Sequence, residues 1–159
     1  MPGGSAGDAS DVVELVDPLH LDRQVCFALS VAARTVVSLY RPLLEPMGLT
    51  HPQYLVMLAL WERSPRSVKD LSSALALDPG TLSPLLKRLE AAGLVMRGRA
   101  PADERTLAVT LTEAGRRLRA DAERVPPAIV ARLGMELSEL EDLHGVLTRV
   151  IAAARESQE

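Results

Sequence analysis

The hydrophobic period of this 159-residue chain changes from helical to extended at Gly93 and returns to helical after Thr112, which confines it to a few small folds. Upstream of the change, apolar residues recur every three or four positions. Leu21, Val25, Leu29, Ala32, Ala33, Val36 and Leu39 mark a first helix after Asp17-Pro18, expected to end near Tyr40 because Pro42 disfavours helical geometry before it. After a connector over residues 43–49, a Thr50 cap and Pro52 start a second helix over 53–63. Tyr54, Met57, Leu58 and Trp61 lie on its apolar side, and Ser64-Pro65 ends it. Ser67 caps a short third helix, Val68–Leu75, with Val68, Leu71 and Leu75 inward. A turn over Ala76-Leu77-Asp78 leads to a fourth helix from Asp78-Pro79 with Leu82, Leu85, Leu86 and Leu89 as its stripe. A start at Pro84 with Ser83 as cap is the alternative, but the spacing from Leu82 favours one helix carrying an early proline.

Gly93 stops that helix, and residues 94–96 and 107–111 then read as two strands. The polar, arginine-bearing stretch 97–105 is expected to be the tip of a two-stranded hairpin. Thr112 caps a fifth helix with Leu118 and Val125 inward until Pro126-Pro127 interrupts it, and a last amphipathic helix covers about 138–155. The expected fold class is therefore mainly α with a small β-hairpin wing, in the order of a winged helix-turn-helix. In that architecture the second helix of the motif enters a DNA major groove and the hairpin reaches the adjacent minor groove. Thr81, Ser83, Lys87 and Arg88 lie on the polar face of the fourth helix, and Arg97, Arg99 and Arg105 suit a narrow, negative minor groove. Asp103 is expected to hold the wing by pairing with a nearby base such as Arg88. A protein-interaction domain of the same shape, with solvated arginines, stays open at this point.

A net charge of -3 looks wrong for a DNA binder until it is divided along the chain. Residues 66–119 hold ten Lys/Arg against six Asp/Glu, a surplus of about +4 that leaves the rest at about -7. Aromatic residues are only 3%, too few for the stacking platforms of an RNA-binding module. No apolar run is expected to approach the ~18–20 residues of a membrane span, and the start of the chain lacks a signal-like block, so a cytoplasmic protein without a membrane partner is expected. No metal site and no cofactor motif is apparent, and a single cysteine, Cys26, excludes an intramolecular disulfide. The expected organisation is a mobile N-terminal tail over 1–17, helices for dimerisation and the cysteine over 18–63, a winged helix-turn-helix over 64–111, and dimerisation helices over 112–159. The long apolar stripes of the first and last helices would be buried by a second copy, which would set two reading helices on a pseudo-palindromic operator; termini folded back on a monomer are the alternative.

Cys26 lies beside the apolar stripe of the first helix, where a lone cysteine is commonly just a small buried hydrophobe. Tyr40 is fourteen residues further on, about 21 Å along a straight helix, so the two cannot touch within one subunit. In an antiparallel dimer, Tyr40 of one copy could approach Cys26 of the other and stabilise a thiolate by hydrogen bonding. His51 could act in the same way, or be a cap-region histidine facing solvent.

The stretch Gln24-x-Cys26-Phe27-Ala28-Leu29, followed by Tyr40-Arg41-Pro42-Leu43-Leu44 and Leu49-Thr50-x-Pro52-Gln53-Tyr54, resembles the organic hydroperoxide resistance regulators, a branch of the MarR family. The likeness runs on through Leu77-Asp78-x-Gly80-Thr81-Leu82-Ser83-Pro84-Leu85-Leu86-Lys87-Arg88 and Asp103-Glu104-Arg105, covering about residues 19–118. The resemblance implies a MarR-like homodimeric repressor of double-stranded DNA, with an organic hydroperoxide as inducer and no enzymatic role. Carried over, Cys26 is the peroxide-reactive cysteine and Tyr40 its hydrogen-bond partner from the other subunit. Thr81, Ser83, Pro84 and Lys87 fall on the reading helix, and Arg105 is the minor-groove arginine. Ser30 and His51 depart, standing where some relatives carry tyrosines. With one cysteine, the implied chemistry is sulfenic acid and then a mixed disulfide with a small thiol. A regulator released by a small lipophilic or phenolic ligand, with Cys26 structural, is the nearest rival. A thiol peroxidase is the rival from another class.

Overall fold

The computed structural model describes residues 17–100 and 102–158. The expected N-terminal tail, apart from its last residue, lies outside them. By contacts the chain divides after Thr35. In the first unit, Asp17 accepts the Leu19 N–H at 2.9 Å, a 3-10 turn spans Leu21–Arg23, and α1 (Val25–Leu44) begins. The Gln24 side-chain amide donates to the Pro18 carbonyl at 2.7 Å, which ties the turn to the entry of the helix.

The second unit, from Val36 on, contains the rest of α1, then α2 (His51–Glu62), β1 (Arg66–Ser67), α3 (Val68–Leu75), α4 (Pro79–Ala91), β2 (Val95–Ala100), β3 (Asp103–Leu111), α5 (Glu113–Ala122), α6 (Val125–Leu133) and α7 (Leu137–Glu156). Several boundaries differ from expectation: the fifth helix ends at Ala122, so that Val125 belongs to α6, and two of the differences fall at prolines. α1 continues through Pro42 to Leu44 instead of ending near Tyr40. Leu44 is fully buried, so core packing outweighs the lost proline N–H, and Gly48 at φ 70° then turns the chain. The Pro126-Pro127 pair starts α6 instead of merely stopping a helix, because N–H groups in a first turn need no intrahelical partner.

α2 opens with a complete capping box, in which Thr50 Oγ1 accepts from Gln53 N–H and Gln53 Oε1 from Thr50 N–H. Tyr54, Val56, Met57, Ala59 and Leu60 are buried, whereas Leu58, expected inward, is 40% exposed. α3 and α4 form as expected, capped by Ser67 and Asp78, and all four leucines of the α4 stripe are buried.

The wing is a three-stranded antiparallel sheet in the order β1-β3-β2, not a two-stranded hairpin. β1 is only two residues, Arg66 opposite Val109 and Ser67 opposite Ala108, and so short a strand shows no hydrophobic period. β2 and β3 also reach beyond the expected strands, with Gly98 opposite Ala108, Arg99 opposite Leu107 and Ala100 opposite Asp103. Beyond the core both faces of this ladder meet solvent, so alternation disappears while the backbone pairing persists.

An ionic cluster joins α2, β1 and α3. The Arg66 guanidinium, 8% exposed, lies 3.1 Å from Glu62 and 3.5 Å from Asp70, and Asp70 also takes Arg63 at 2.6 Å. At the other end of the sheet, α5 lies so close to the wing that a Cβ on Gly115 would come 2.1 Å from the Leu94 carbonyl oxygen. The Gly115 carbonyl accepts the Trp61 indole N–H at 2.8 Å, fastening α2 to the same point. Gly115→Ala must separate α5 from β2 and is expected to lower the thermal midpoint by roughly 5 °C or more; an unchanged midpoint in a thermal melt would show that the approach is not tight.

Candidate nucleic-acid interface and thiol neighbourhood

Burial of Leu82, Leu85, Leu86 and Leu89 decides which side of α4 faces out: Thr81, Pro84, Lys87 and Arg88 are exposed and Ser83 is half-buried. The first turn is built by Asp78, whose Oδ1 accepts the Thr81 N–H at 2.9 Å while its Oδ2 accepts the Thr81 hydroxyl at 2.8 Å. Hydrogen bonds from the Thr81 side chain and then its backbone hold the Asp78 carboxyl below its usual range. Gly80 keeps this turn open, since a Cβ there would sit 3.0 Å from Asp78 Oδ1. Pro84 lies inside the helix, where its ring removes one backbone donor without ending it.

The expected wing arginines separate into two kinds. Arg97 lies opposite Val109 on the core-facing side of β2, half-buried, with its Nε 2.7 Å from a Glu90 carboxylate oxygen. Arg99 and Arg105 are exposed on β2 and β3. Asp103 does not pair with Arg88. Its Oδ1 accepts the Arg105 N–H at 3.0 Å and its Oδ2 the Thr106 hydroxyl at 2.8 Å, so it shapes the start of β3 through hydrogen bonds. The same bonds, the Arg105 backbone first, hold its carboxyl low.

The cations therefore divide by whether a carboxylate lies beside them. Within residues 63–119, Arg63, Arg66, Arg97, Arg116, Arg117 and Arg119 each have a carboxylate within 4 Å, whereas Lys69, Lys87, Arg88, Arg99 and Arg105 have none among the described residues. Of these five, Lys69 lies on α3, and the other four belong to α4 and the wing strands, where a phosphate backbone can complete them.

Cys26 is a free, exposed thiol in the first unit. In the second unit, the expected partners Tyr40 and His51 meet edge to face, with ring centroids 4.7 Å apart. Both are half-buried, so His51 is not a solvent-facing cap residue. Tyr54 completes the group, 5.9 Å from Tyr40 and 6.3 Å from His51. Sequence reasoning placed Tyr54 only in the core; its position three residues after His51, one helical turn on, is the signal that places it on the same face. Burial lowers the His51 pKa, favouring the neutral ring, and raises that of Tyr40. Burial and then the charge of Tyr40 raise that of Tyr54. In all three rings burial favours the neutral form.

Comparison with known proteins agrees with this architecture. A family model described as the transcriptional regulator SarA/Rot matches residues 38–121. The chain is 42% identical over 127 residues to the organic hydroperoxide resistance transcriptional regulator of Bacillus subtilis, covering 80% of this chain and 84% of that one. It is 49% identical over 123 residues to the regulator TtmR of Methylorubrum extorquens, covering 77% of this chain but spanning only 63% of that protein's length. Among solved structures, reduced AbfR bound to DNA aligns with a TM-score of 0.75 at 34% identity, covering 87% of this chain and 95% of that one. The chain, a DNA-binding transcriptional regulator and not an enzyme, belongs to the MarR family of winged-helix regulators, in the branch of the organic hydroperoxide resistance regulators.

Proposed function

We propose that this regulator is a homodimeric repressor that releases a pseudo-palindromic operator when an organic hydroperoxide oxidises Cys26, so that a peroxide-detoxification gene is expressed. The carrying observation is the sole thiol's place on an uncovered helix. Only 6% of the most apolar window in Val25–Met47 is buried. By length and a hydropathy of 1.2, those 23 residues suffice for a membrane span, contrary to expectation. In a DNA-binding family the cover that fits is a second copy. Val25, Phe27, Val31 and Val37 on α1, and Leu143, Val146, Val150 and Ile151 on α7, all stand exposed in the single chain. In this reading residues 18–63 and 112–159 form the dimer frame, residues 64–111 read DNA, and the protein works where its operator is, in the cytoplasm.

The chemistry needs only the thiol and its oxidant. The Cys26 thiolate attacks the distal peroxide oxygen, the O–O bond breaks, and the alkoxide leaves as an alcohol on taking a proton. The resulting sulfenic acid condenses with a small thiol, releasing water and leaving a mixed disulfide. In the dimer, Tyr40 and His51 of the partner copy serve as hydrogen-bond partners of the sulfur, as the branch resemblance suggests. An adduct at a packed helix changes the spacing of the two α4 helices, and affinity falls because both half-sites are no longer engaged together. Thr81, Ser83, Pro84, Lys87 and Arg88 on α4, with Arg99 and Arg105 on the wing, are the proposed DNA contacts. Arg97, bound to Glu90, contributes to this surface only indirectly.

A mainly apolar cleft of about 300 Å³, lined by Tyr54, Leu58, Trp61, Ala122 and Pro126 and edged by the charged Glu62, Arg119 and Glu123, favours the second reading, release by a small lipophilic or phenolic ligand.

Three measurements check these readings. Equimolar cumene hydroperoxide plus cysteine is expected to weaken binding to duplex DNA from the protein's own upstream region at least tenfold for wild type and leave Cys26→Ser unchanged. Unchanged affinity after complete oxidation of Cys26 would sink the thiol reading, and would promote the cleft. In salt titrations of DNA binding, Arg105→Ala is expected to reduce the log–log slope by about one, whereas Arg97→Ala changes it by much less; equal slopes for both variants would contradict the division of arginines. Because burial lowers the folded His51 pKa below 6.5, the unfolded chain takes up the proton first. Stability is full above about pH 6.5 and is lost as pH falls through the folded value. The thermal midpoint should therefore drop between pH 7.5 and pH 5.5, less in His51→Gln, and parallel drops in the two proteins would refute this role.

A further inference from the structure

We infer that Asp78 fixes the hydrogen-bonding polarity of Thr81, so that α4 presents at that position an oxygen that only accepts hydrogen bonds and selects bases with an exocyclic amino group. The inference deepens the reading of α4 as the major-groove element and rests on it. Its starting point is the 2.8 Å bond between Thr81 Oγ1 and Asp78 Oδ2. An ionised carboxylate carries no hydrogen, so the single hydrogen in that bond belongs to the threonine. An exposed aspartate is ionised at neutral pH, and the bonds from Thr81 hold the Asp78 carboxyl lower still.

A threonine hydroxyl has one hydrogen to give and two lone pairs. With the hydrogen spent on Asp78, only the lone pairs remain for a ligand. In the major groove, adenine N6 and cytosine N4 offer hydrogens, whereas guanine O6 and N7 and thymine O4 offer none. Thr81 is exposed in the first turn of α4, the part of a reading helix that meets base edges. Ser83 differs, because its hydroxyl has no partner among the described residues and rotates to give or accept. The geometry is also sterically reserved: the 3.0 Å that a Cβ on Gly80 would leave to Asp78 Oδ1 shows that the carboxylate occupies the space a side chain there would need. Asp78 is thus a positioning residue that acts through Thr81, and Thr81 is the specificity-determining one.

Asp78→Asn separates this role from capping, since asparagine caps a helix as well as aspartate does. Its carbonyl still accepts the Thr81 N–H, while its amide donates to Thr81 Oγ1 and returns the hydroxyl hydrogen to the groove. The probe is a randomised duplex library, selected in parallel with full-length wild type, Asp78→Asn and Thr81→Val, with sequencing of the retained DNA. Wild type is expected to favour adenine or cytosine on the contacted strand at one position of each half-site, by about three- to tenfold, the strength of one hydrogen bond. Asp78→Asn leaves the Thr81 hydroxyl a hydrogen to give and one lone pair to accept with, so it should admit guanine and thymine at that position alone and erase the preference, and Thr81→Val should likewise lose the preference there while keeping the rest of the motif. A common motif from all three proteins, or an Asp78→Asn motif that retains adenine or cytosine, overturns this inference and leaves α4 as the reading helix. Failure of all three to enrich any sequence would overturn the placement of α4 in the groove, and this inference with it.

Discussion

Burial of the four leucines of α4 is the constraint on which the DNA-binding unit depends. Leu82, Leu85, Leu86 and Leu89 are each at most 7% exposed. Removing one such side chain from a close-packed core costs about 2–5 kcal/mol, a large part of the stability of a domain this size. The stripe leaves α4 no freedom to rotate about its axis. Turning Thr81, Lys87 and Arg88 away from solvent would bring leucines out, so the outward face follows from the inward one.

Around that anchored helix, electrostatics assigns two tasks to one residue type. Seven arginines have a carboxylate within 4 Å, and the one most deeply enclosed, Arg66, bridges Glu62 and Asp70 at the junction of α2, β1 and α3. Such a pair adds little net stability against the cost of desolvation, but it penalises any misplacement that would leave a buried charge alone. The cations without a carboxylate on α4 and the wing contribute to the local excess that an overall charge of -3 conceals.

Legibility in the sequence followed the length and two-sidedness of each element. α3 and α4 were readable because each combines a side-chain cap with a stripe of leucines. β1 was not, since two residues hold no period, and the outer parts of β2 and β3 were not, since pairing without burial leaves no hydrophobic trace. Pro42 and Pro126-Pro127 misled in opposite directions: a buried Leu44 carried α1 past the first, and the second pair opened a helix. The site divides in the same way. Thr81, Lys87 and Arg88 follow from the helical face, whereas the pairing of Arg97 with Glu90 and the turn made by Asp103 depend on strand register, which a single sequence states only weakly.

The missing side chain of Gly115 bears on how movement passes through the protein. With α5 in backbone contact with the Leu94 carbonyl, there is no compressible layer between that helix and the foot of the wing. The six residues of β2 form an arm of about 20 Å at 3.3 Å per residue. A tilt of about 5° at its foot would carry the far end through roughly 2 Å, over half the length of a hydrogen bond. The close approach at Gly115 therefore ties the direction of the wing to the orientation of α5, so that any tilt between the two is felt most at the far end of β2.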